Sequence, residues 1–253
     1  MSPKKLIVGN WKMNPATITE AKQIARRTRS VAAKLTHTNV VVCPPFVFIS
    51  ACVSRKPVGG FYVGAQSVSL EEGGAHTGQV SNVMLKSAGA EYVIVGHSEE
   101  RSAGDTDAIV SRKIRMVLGA GMTPIVCVGE KVRDEGGLHF DFIREQIKNS
   151  FADVAKSDAR EIVLAYEPVW AIGAKEAMSP DQIYEMSLFV KKAFADVFSP
   201  EAALKLTVIY GGAANFRNAA EIIKIGQIDG LLVGRESVNL PGFKELIKTV
   251  DLL

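Results

Sequence analysis

The sequence predicts an α/β protein of repeated strand–helix units that closes as a (βα)8 barrel. Three observations carry this expectation. Eight short runs rich in β-branched residues recur along the chain, apolar almost throughout rather than alternating. That is the pattern of parallel strands buried on both faces. Helical patterns lie between the runs, as parallel strands require crossovers. The length of 253 residues matches the roughly 250 typical of one such barrel. An open doubly wound sheet would show the same periodicity, so the first strand–helix turn has to arbitrate. A dinucleotide-binding sheet usually carries Gly-x-Gly-x-x-Gly there. This chain reads Gly9-Asn10-Trp11-Lys12 instead, which tilts the reading toward the barrel.

In order, the strand runs are Leu6–Gly9, Asn39–Cys43, Phe61–Ala65, Tyr92–Gly96, Thr123–Val128, Ile162–Tyr166, Leu206–Tyr210 and Gly230–Val233. After the first, Ile18, Ala21, Ile24, Ala25, Thr28, Val31 and Leu35 follow the helical period. After the sixth, Ile183, Met186, Phe189, Val190, Ala193 and Val197 do the same. Thr17 and Glu20 have the spacing of a capping box, and Ser179, Pro180 and Gln182 supply an N-cap, a first-turn proline and a capping partner. No low-complexity segment, charge block or composition break marks a linker. Residues 1–253 are therefore expected to form a single barrel domain.

Composition narrows the function. Hydrophobic residues make up 47% and charged residues 23%, enough for a sizeable core with an ordinary surface. Thirty basic residues against 27 acidic ones leave a net charge of +3, which is no electrostatic footprint for nucleic acid or an anionic membrane. No apolar run reaches the ~18 residues of a membrane helix, and the stretch after Met1–Lys5 is too short for a signal-peptide core. Cys43, Cys52 and Cys127 are odd in number and form no Cys-x-x-Cys pair, against a disulfide framework or a zinc site. A cytoplasmic protein is expected.

Barrels keep their chemistry where strands end. Strand one ends in Asn10 and Lys12, strand four in His97-Ser98-Glu99, strand six in Glu167-Pro168, strand seven in Gly211-Gly212 and strand eight in Gly234-Arg235. Each has a plainer reading alone. A histidine after a strand is more often a hydrogen-bonded structural residue, a lysine is usually solvated, and Glu-Pro and Gly-Gly often just make turns. Together they place an acid, a base, a cation and phosphate-binding amides on one rim, which independent turns have no reason to do. Cys127 ends an apolar strand with no base adjacent in sequence and reads as a packed small residue, not a nucleophile.

Five motifs carry a resemblance in chain order over nearly the whole sequence. Asn10-Trp11-Lys12-Met13-Asn14, Gly96-His97-Ser98-Glu99, Cys127-Val128-Gly129-Glu130, Ala165-Tyr166-Glu167-Pro168-Val169-Trp170-Ala171-Ile172-Gly173 and Tyr210-Gly211-Gly212 resemble the triosephosphate isomerase family. That family is itself a reference case of acid–base tuning, so the roles below are what the resemblance implies. It implies interconversion of dihydroxyacetone phosphate and D-glyceraldehyde 3-phosphate through an enediolate, in glycolysis and gluconeogenesis, with no metal and no cofactor. Glu167 matches the base and His97 the electrophile. Lys12 matches the cation near the substrate oxygens, Asn10 a hydrogen-bond partner beside it, and Glu99 a supporting residue. Gly173, Gly211, Gly212, Ala213, Gly234 and Arg235 fall where the phosphate is held. Pro168, Val169, Trp170, Ala171, Ile172, Gly173, Ala174, Lys175, Glu176, Ala177 and Met178 match the mobile lid, with Tyr210, Glu130 and Trp170 as its latches. The loop Gly73–Gln79 resembles the family's dimer loop and implies a homodimer.

Departures from the pattern cluster at the phosphate and the subunit interface. Ala213 stands where the family usually has a lid-holding Ser, Arg235 stands for a glycine, and the lid tail reads Ala174-Lys175-Glu176-Ala177-Met178. The Arg235 N–H can still serve a phosphate provided its backbone does not need a positive φ. His76, Gln79 and Glu100 replace a frequent Phe, Glu and Arg, removing both halves of an intersubunit ion pair while Thr77 is kept. Two alternatives follow: a related tetrulose-phosphate isomerase, or a non-catalytic barrel that binds sugar phosphates. The intact set Asn10, Lys12, His97 and Glu167 speaks against the second.

Overall fold

A computed structural model describes residues 3–54, 56, 58–134, 136–173 and 177–253. Eight strands appear in chain order: β1 (Lys5–Asn10), β2 (Thr38–Cys43), β3 (Phe61–Ala65), β4 (Tyr92–Val95), β5 (Thr123–Val128), β6 (Val163–Tyr166), β7 (Thr207–Tyr210) and β8 (Gly230–Val233). Each pairs in parallel with the next, and β8 pairs with β1 through Leu6↔Gly230 to Gly9↔Val233. The sheet is therefore a closed barrel, which rules out the open doubly wound alternative. β1 and β2 outrun the expected apolar runs where polar residues join the ladder, whereas β4, β6 and β7 lack Gly96, Ile162 and Leu206 from the expected runs. Lys5 extends β1 because its N–H donates to His37 O at 2.8 Å and its ammonium donates to Ile228 O at 2.9 Å.

The helices are α1 (Ile18–Ala32), α2 (Ile49–Cys52), α3 (Asn82–Ser87), α4 (Ser98–Ala103), α5 (Asp107–Gly119), α6 (Leu138–Ser150), α7 (Pro180–Val197), α8 (Pro200–Lys205), α9 (Ala219–Gly226) and α10 (Leu240–Asp251). The caps start them where the sequence predicts. Thr17 Oγ1 accepts from Glu20 N at 3.2 Å at the head of α1, and Ser179 Oγ accepts from Gln182 N at 3.4 Å at the head of α7. α1 stops at Ala32, so Leu35 packs from beyond its end rather than within it. Among the described residues, no helix is long and apolar enough to cross a membrane.

Burial falls into two layers. Leu6, Val8, Val41, Cys43, Ile94, Ile125, Cys127, Val163, Ala165, Ile209 and Leu232 fill the barrel interior. The alternate strand residues, such as Ile7, Val40, Val42, Leu164 and Val208, pack outward against the helices. Two apolar faces explain why the strand runs do not alternate in polarity. Full burial of each such side chain contributes about 1.5–3 kcal/mol. The inward register continues past the strand ends. Leu6 and Val8 are followed at the same spacing by Asn10, and Val163 and Ala165 by Glu167. A strand's period of two thus delivers both polar side chains to the mouth of the barrel.

Candidate active site

Glu167 is buried, with Oε2 lacking any partner among the described residues. Its backbone N–H donates to Val128 O at 2.8 Å, which fixes it at the top of β6. Gly211 makes room for it: a Cβ there would stand 2.5 Å from Glu167 Cγ. A buried carboxylate oxygen without a donor is costly, about 1–3 kcal/mol for an unsatisfied group. Cys127 is buried against this carboxylate, and burial first, then the negative charge of Glu167, push its thiol well above the ordinary range. The thiol is a packed small group, as its sequence context suggests. A carboxylate does lie beside it in space, however, and that charge disfavours the thiolate.

His97 sits across from Glu167, its Nε2 3.5 Å from Glu167 Oε1. It is the N-cap of α4, and its Nδ1 accepts from Glu99 N at 3.2 Å. A backbone N–H can only donate, so this Nδ1 carries no proton. The remaining ring proton is therefore on Nε2, facing the cavity. The ring is set to donate to an oxygen bound in the cavity beside it.

Lys12 is one of two non-glycine residues with positive φ among those described, at 52°. Such backbone costs about 1–3 kcal/mol and persists only where neighbours over-determine it. Two residues do so here. Asn10 Oδ1 accepts from Lys12 N at 3.0 Å, and Gln66 Nε2 donates to Lys12 O at 2.8 Å and to Cys43 O at 2.9 Å. The Lys12 ammonium meets Glu99 Oε1 at 2.5 Å. Burial pushes the Glu99 carboxyl up, but the hydrogen bond and charge of Lys12 outweigh it and hold the group below the usual carboxylate range.

Asn10, Lys12, His97, Glu167, Gly173, Gly211, Gly212, Ala213, Gly234 and Arg235 line one cavity of about 340 Å³. Trp11, Asn14, Ile172, Ala214, Asn215, Leu232 and Glu236 complete it. Glu99 is not in this lining and reaches the site through its carboxylate on Lys12 and its N–H on His97. A larger cavity of about 520 Å³ lies on the outside, between α1 and α10, lined by Arg27, Val31, Lys34, Lys244 and their neighbours. Its titratable residues, Arg27, Lys34, Lys244, Lys248 and Asp251, include no histidine and no residue from a strand end, so the smaller cavity is the candidate site. Arg235 is not among the described residues with positive φ, which meets the condition for its N–H to serve an anion. Ser237 Oγ donates to Gly234 O at 2.6 Å and lies 3.3 Å from Asn10 O, tying the loop after β8 to the end of β1. Neither Gln66 nor Ser237 stood out in sequence, because each works on main-chain oxygens that only the closed barrel brings near.

Of the expected lid, Pro168 to Gly173, Ala177 and Met178 are described, while Ala174, Lys175 and Glu176 lie outside the described residues. Val169–Ala171 form a 3₁₀ turn. Trp170 Nε1 donates to Glu130 Oε1 at 2.9 Å, and Met178 N donates to the Tyr210 hydroxyl at 3.2 Å. The three latch residues are thus engaged with the two ends of the segment. Tyr166 adds to the first latch by donating to Glu130 at 3.0 Å. Gly212 is required beside the second, since a Cβ there would stand 2.1 Å from the Tyr210 hydroxyl oxygen.

The sequence profile described as triosephosphate isomerase matches residues 5–250. A curated triosephosphate isomerase of Endomicrobium trichonymphae is 38% identical, covering 97% of this chain and 98% of the relative. Those of Porphyromonas gingivalis and Flavobacterium johnsoniae are 34% and 36% identical, covering 97% and 98% of this chain and 98% and 99% of their own.

Proposed function

The chain belongs to the triosephosphate isomerase family, and from that premise we propose that it interconverts dihydroxyacetone phosphate and D-glyceraldehyde 3-phosphate, with Glu167 as base and His97 as electrophile. One observation supports the assignment of roles: Glu167 and His97 line the same cavity, with the proton-bearing Nε2 of His97 3.5 Å from Glu167 Oε1. Moving a proton between adjacent carbons needs a base on the C–H bond and donors on the two oxygens. Glu167 takes the proton from one carbon and returns it to its neighbour. His97 donates to the oxygen that gains charge as the enediolate forms. Lys12 supplies positive charge to the same oxygens, and Asn10 holds Lys12 in its strained backbone.

The phosphate end is read as the N–H groups of Gly173, Ala213, Gly234 and Arg235. Closure of residues 168–178 excludes water and holds the enediolate against loss of phosphate. The reaction belongs to glycolysis and gluconeogenesis, in the cytoplasm, and is carried by residues 1–253 as one catalytic domain without metal or cofactor. The chain pairs with a second copy through Gly73–Gln79. The relatives, each a triosephosphate isomerase, favour triose over tetrulose phosphate. The test is a coupled assay on both sugars. Turnover on triose phosphate well above that on tetrulose phosphate supports the reading, and the reverse preference or no turnover refutes it.

A further inference from the structure

We propose that the Arg235 guanidinium, and not only its backbone N–H, is the charge that seats the substrate's phosphate in this cavity; this rests on the sugar-phosphate reading above. The argument is a census of charge. A phosphate ester brings about −1.5 to −2 at neutral pH. Two cationic residues, Lys12 and Arg235, are in the lining of the cavity. The Lys12 ammonium is already matched by Glu99 at 2.5 Å, and Glu167 adds a buried negative charge. Counted without Arg235, the lining is net negative before an anion arrives. Arg235 has no ion-pair partner among the described residues; the adjacent carboxylate, Glu236, accepts instead from Asn239 Nδ2 at 3.0 Å. Arg235 begins the 3₁₀ turn Arg235–Val238 directly after Gly234, so its stem leaves the backbone at the phosphate-binding corner. A guanidinium presents a planar fork of donors that fits phosphate oxygens, and its charge does not titrate away.

The experiment is calorimetric titration of the full chain with inorganic phosphate, for wild type, Arg235→Gln and Arg235→Lys, alongside KM for triose phosphate. Arg235→Gln should weaken phosphate binding about tenfold or more, since hydrogen bonds to charged groups are worth ~1.5–3 kcal/mol. KM should rise in parallel, and Arg235→Lys should recover most of the loss. Arg235 is exposed, so the core does not depend on it; Arg235→Met, which keeps the apolar stem, replaces the Gln variant if that one fails to fold. A change under twofold in the neutral variant overturns the proposal, as does a lysine variant as weak as the neutral one. A wild type that binds phosphate without isomerising triose phosphate sinks the functional reading alone. Undiminished phosphate binding by the neutral variant sinks this inference alone.

Discussion

At the scale of residues, the cavity sets the Glu167 carboxylate 3.5 Å from the His97 ring, the proposed base against the proposed donor. Replacing Glu167 by Gln keeps the shape that Gly211 makes room for and removes only the basicity. The expected result is a fall in kcat of ~10²–10⁴-fold, the usual cost of a lost general base, with inhibitor affinity little changed. Near wild-type turnover would show that another group takes the proton. Lys12→Met should act differently, weakening phosphate-bearing inhibitors as well as slowing turnover, because the ammonium leaves both the ligand and Glu99. Equal inhibitor affinity in the two proteins would remove Lys12 from the binding site. The convergence of Asn10, Lys12, His97 and Glu167 on one cavity was legible in the sequence because they are polar residues at or just after strand ends. Gln66 follows β3 in the same way, yet its amide is spent on the main chain of Lys12 and Cys43. Its role arises only from three strand ends meeting.

At the scale of elements, capping chemistry fixed the starts of α1 and α7 in advance, whereas α6 hides its cap. Gly137 precedes it with no side chain to offer, and Asp134 reaches over instead, accepting from Leu138 N and His139 N, each at 2.9 Å. The Leu138 N–H, then the His139 N–H against some opposing burial, hold this carboxyl at about 2. A depressed folded-state value contributes stability that is complete above the unfolded value of about 3.9 and lost as pH falls toward 2. Asp134→Ala should therefore lower Tm at pH 7, with the gap to wild type closing between about pH 4 and 2. A gap of constant size would exclude this carboxylate. The lid poses a second element-scale question. Its ends are held by Glu130 and Tyr210, but Ala213 offers no hydroxyl between them. One hydrogen bond is worth ~0.5–1.5 kcal/mol net. Closure should accordingly be weaker by a few-fold to about tenfold than with a hydroxyl present. Ala213→Ser should lower the methylglyoxal formed per isomerisation, and an unchanged ratio would mean the existing latches suffice.

At the scale of the whole molecule, periodicity alone showed eight buried strands, and their closure was legible only from the first strand–helix turn and the family resemblance. Closure depends on Leu6–Gly9 pairing with Gly230–Val233 across nearly the entire chain, and no local pattern encodes that contact. The same closure decides which exposed groups become neighbours. Met13, Phe46 and Val47 are exposed beyond β1 and β2, and Phe46 shares a hollow with His76, Gly78 and Gln79 of the loop after β3. An apolar sector on one part of a polar rim is the mark of an interaction surface, and the Gly73–Gln79 loop stands beside it. Its charges are settled within the chain. Glu100 Oε2 accepts from Ser67 Oγ at 2.9 Å and lies 3.6 Å from Lys113 Nζ, while Gln79 Oε1 accepts from Ser69 Oγ. The expected assembly is a dimer held by apolar contact and loop insertion, without an ion pair between Gln79 and Glu100. Sedimentation at micromolar concentration should then give twice the 27.3 kDa mass of the chain. Raising the salt should not dissociate it, because screening acts on exposed charge pairs and not on buried apolar area. Val47→Asp should shift it toward monomer by placing a charge in the sector. A wild-type monomer would refute the assembly, and a dimer indifferent to Val47→Asp would place its interface on another face.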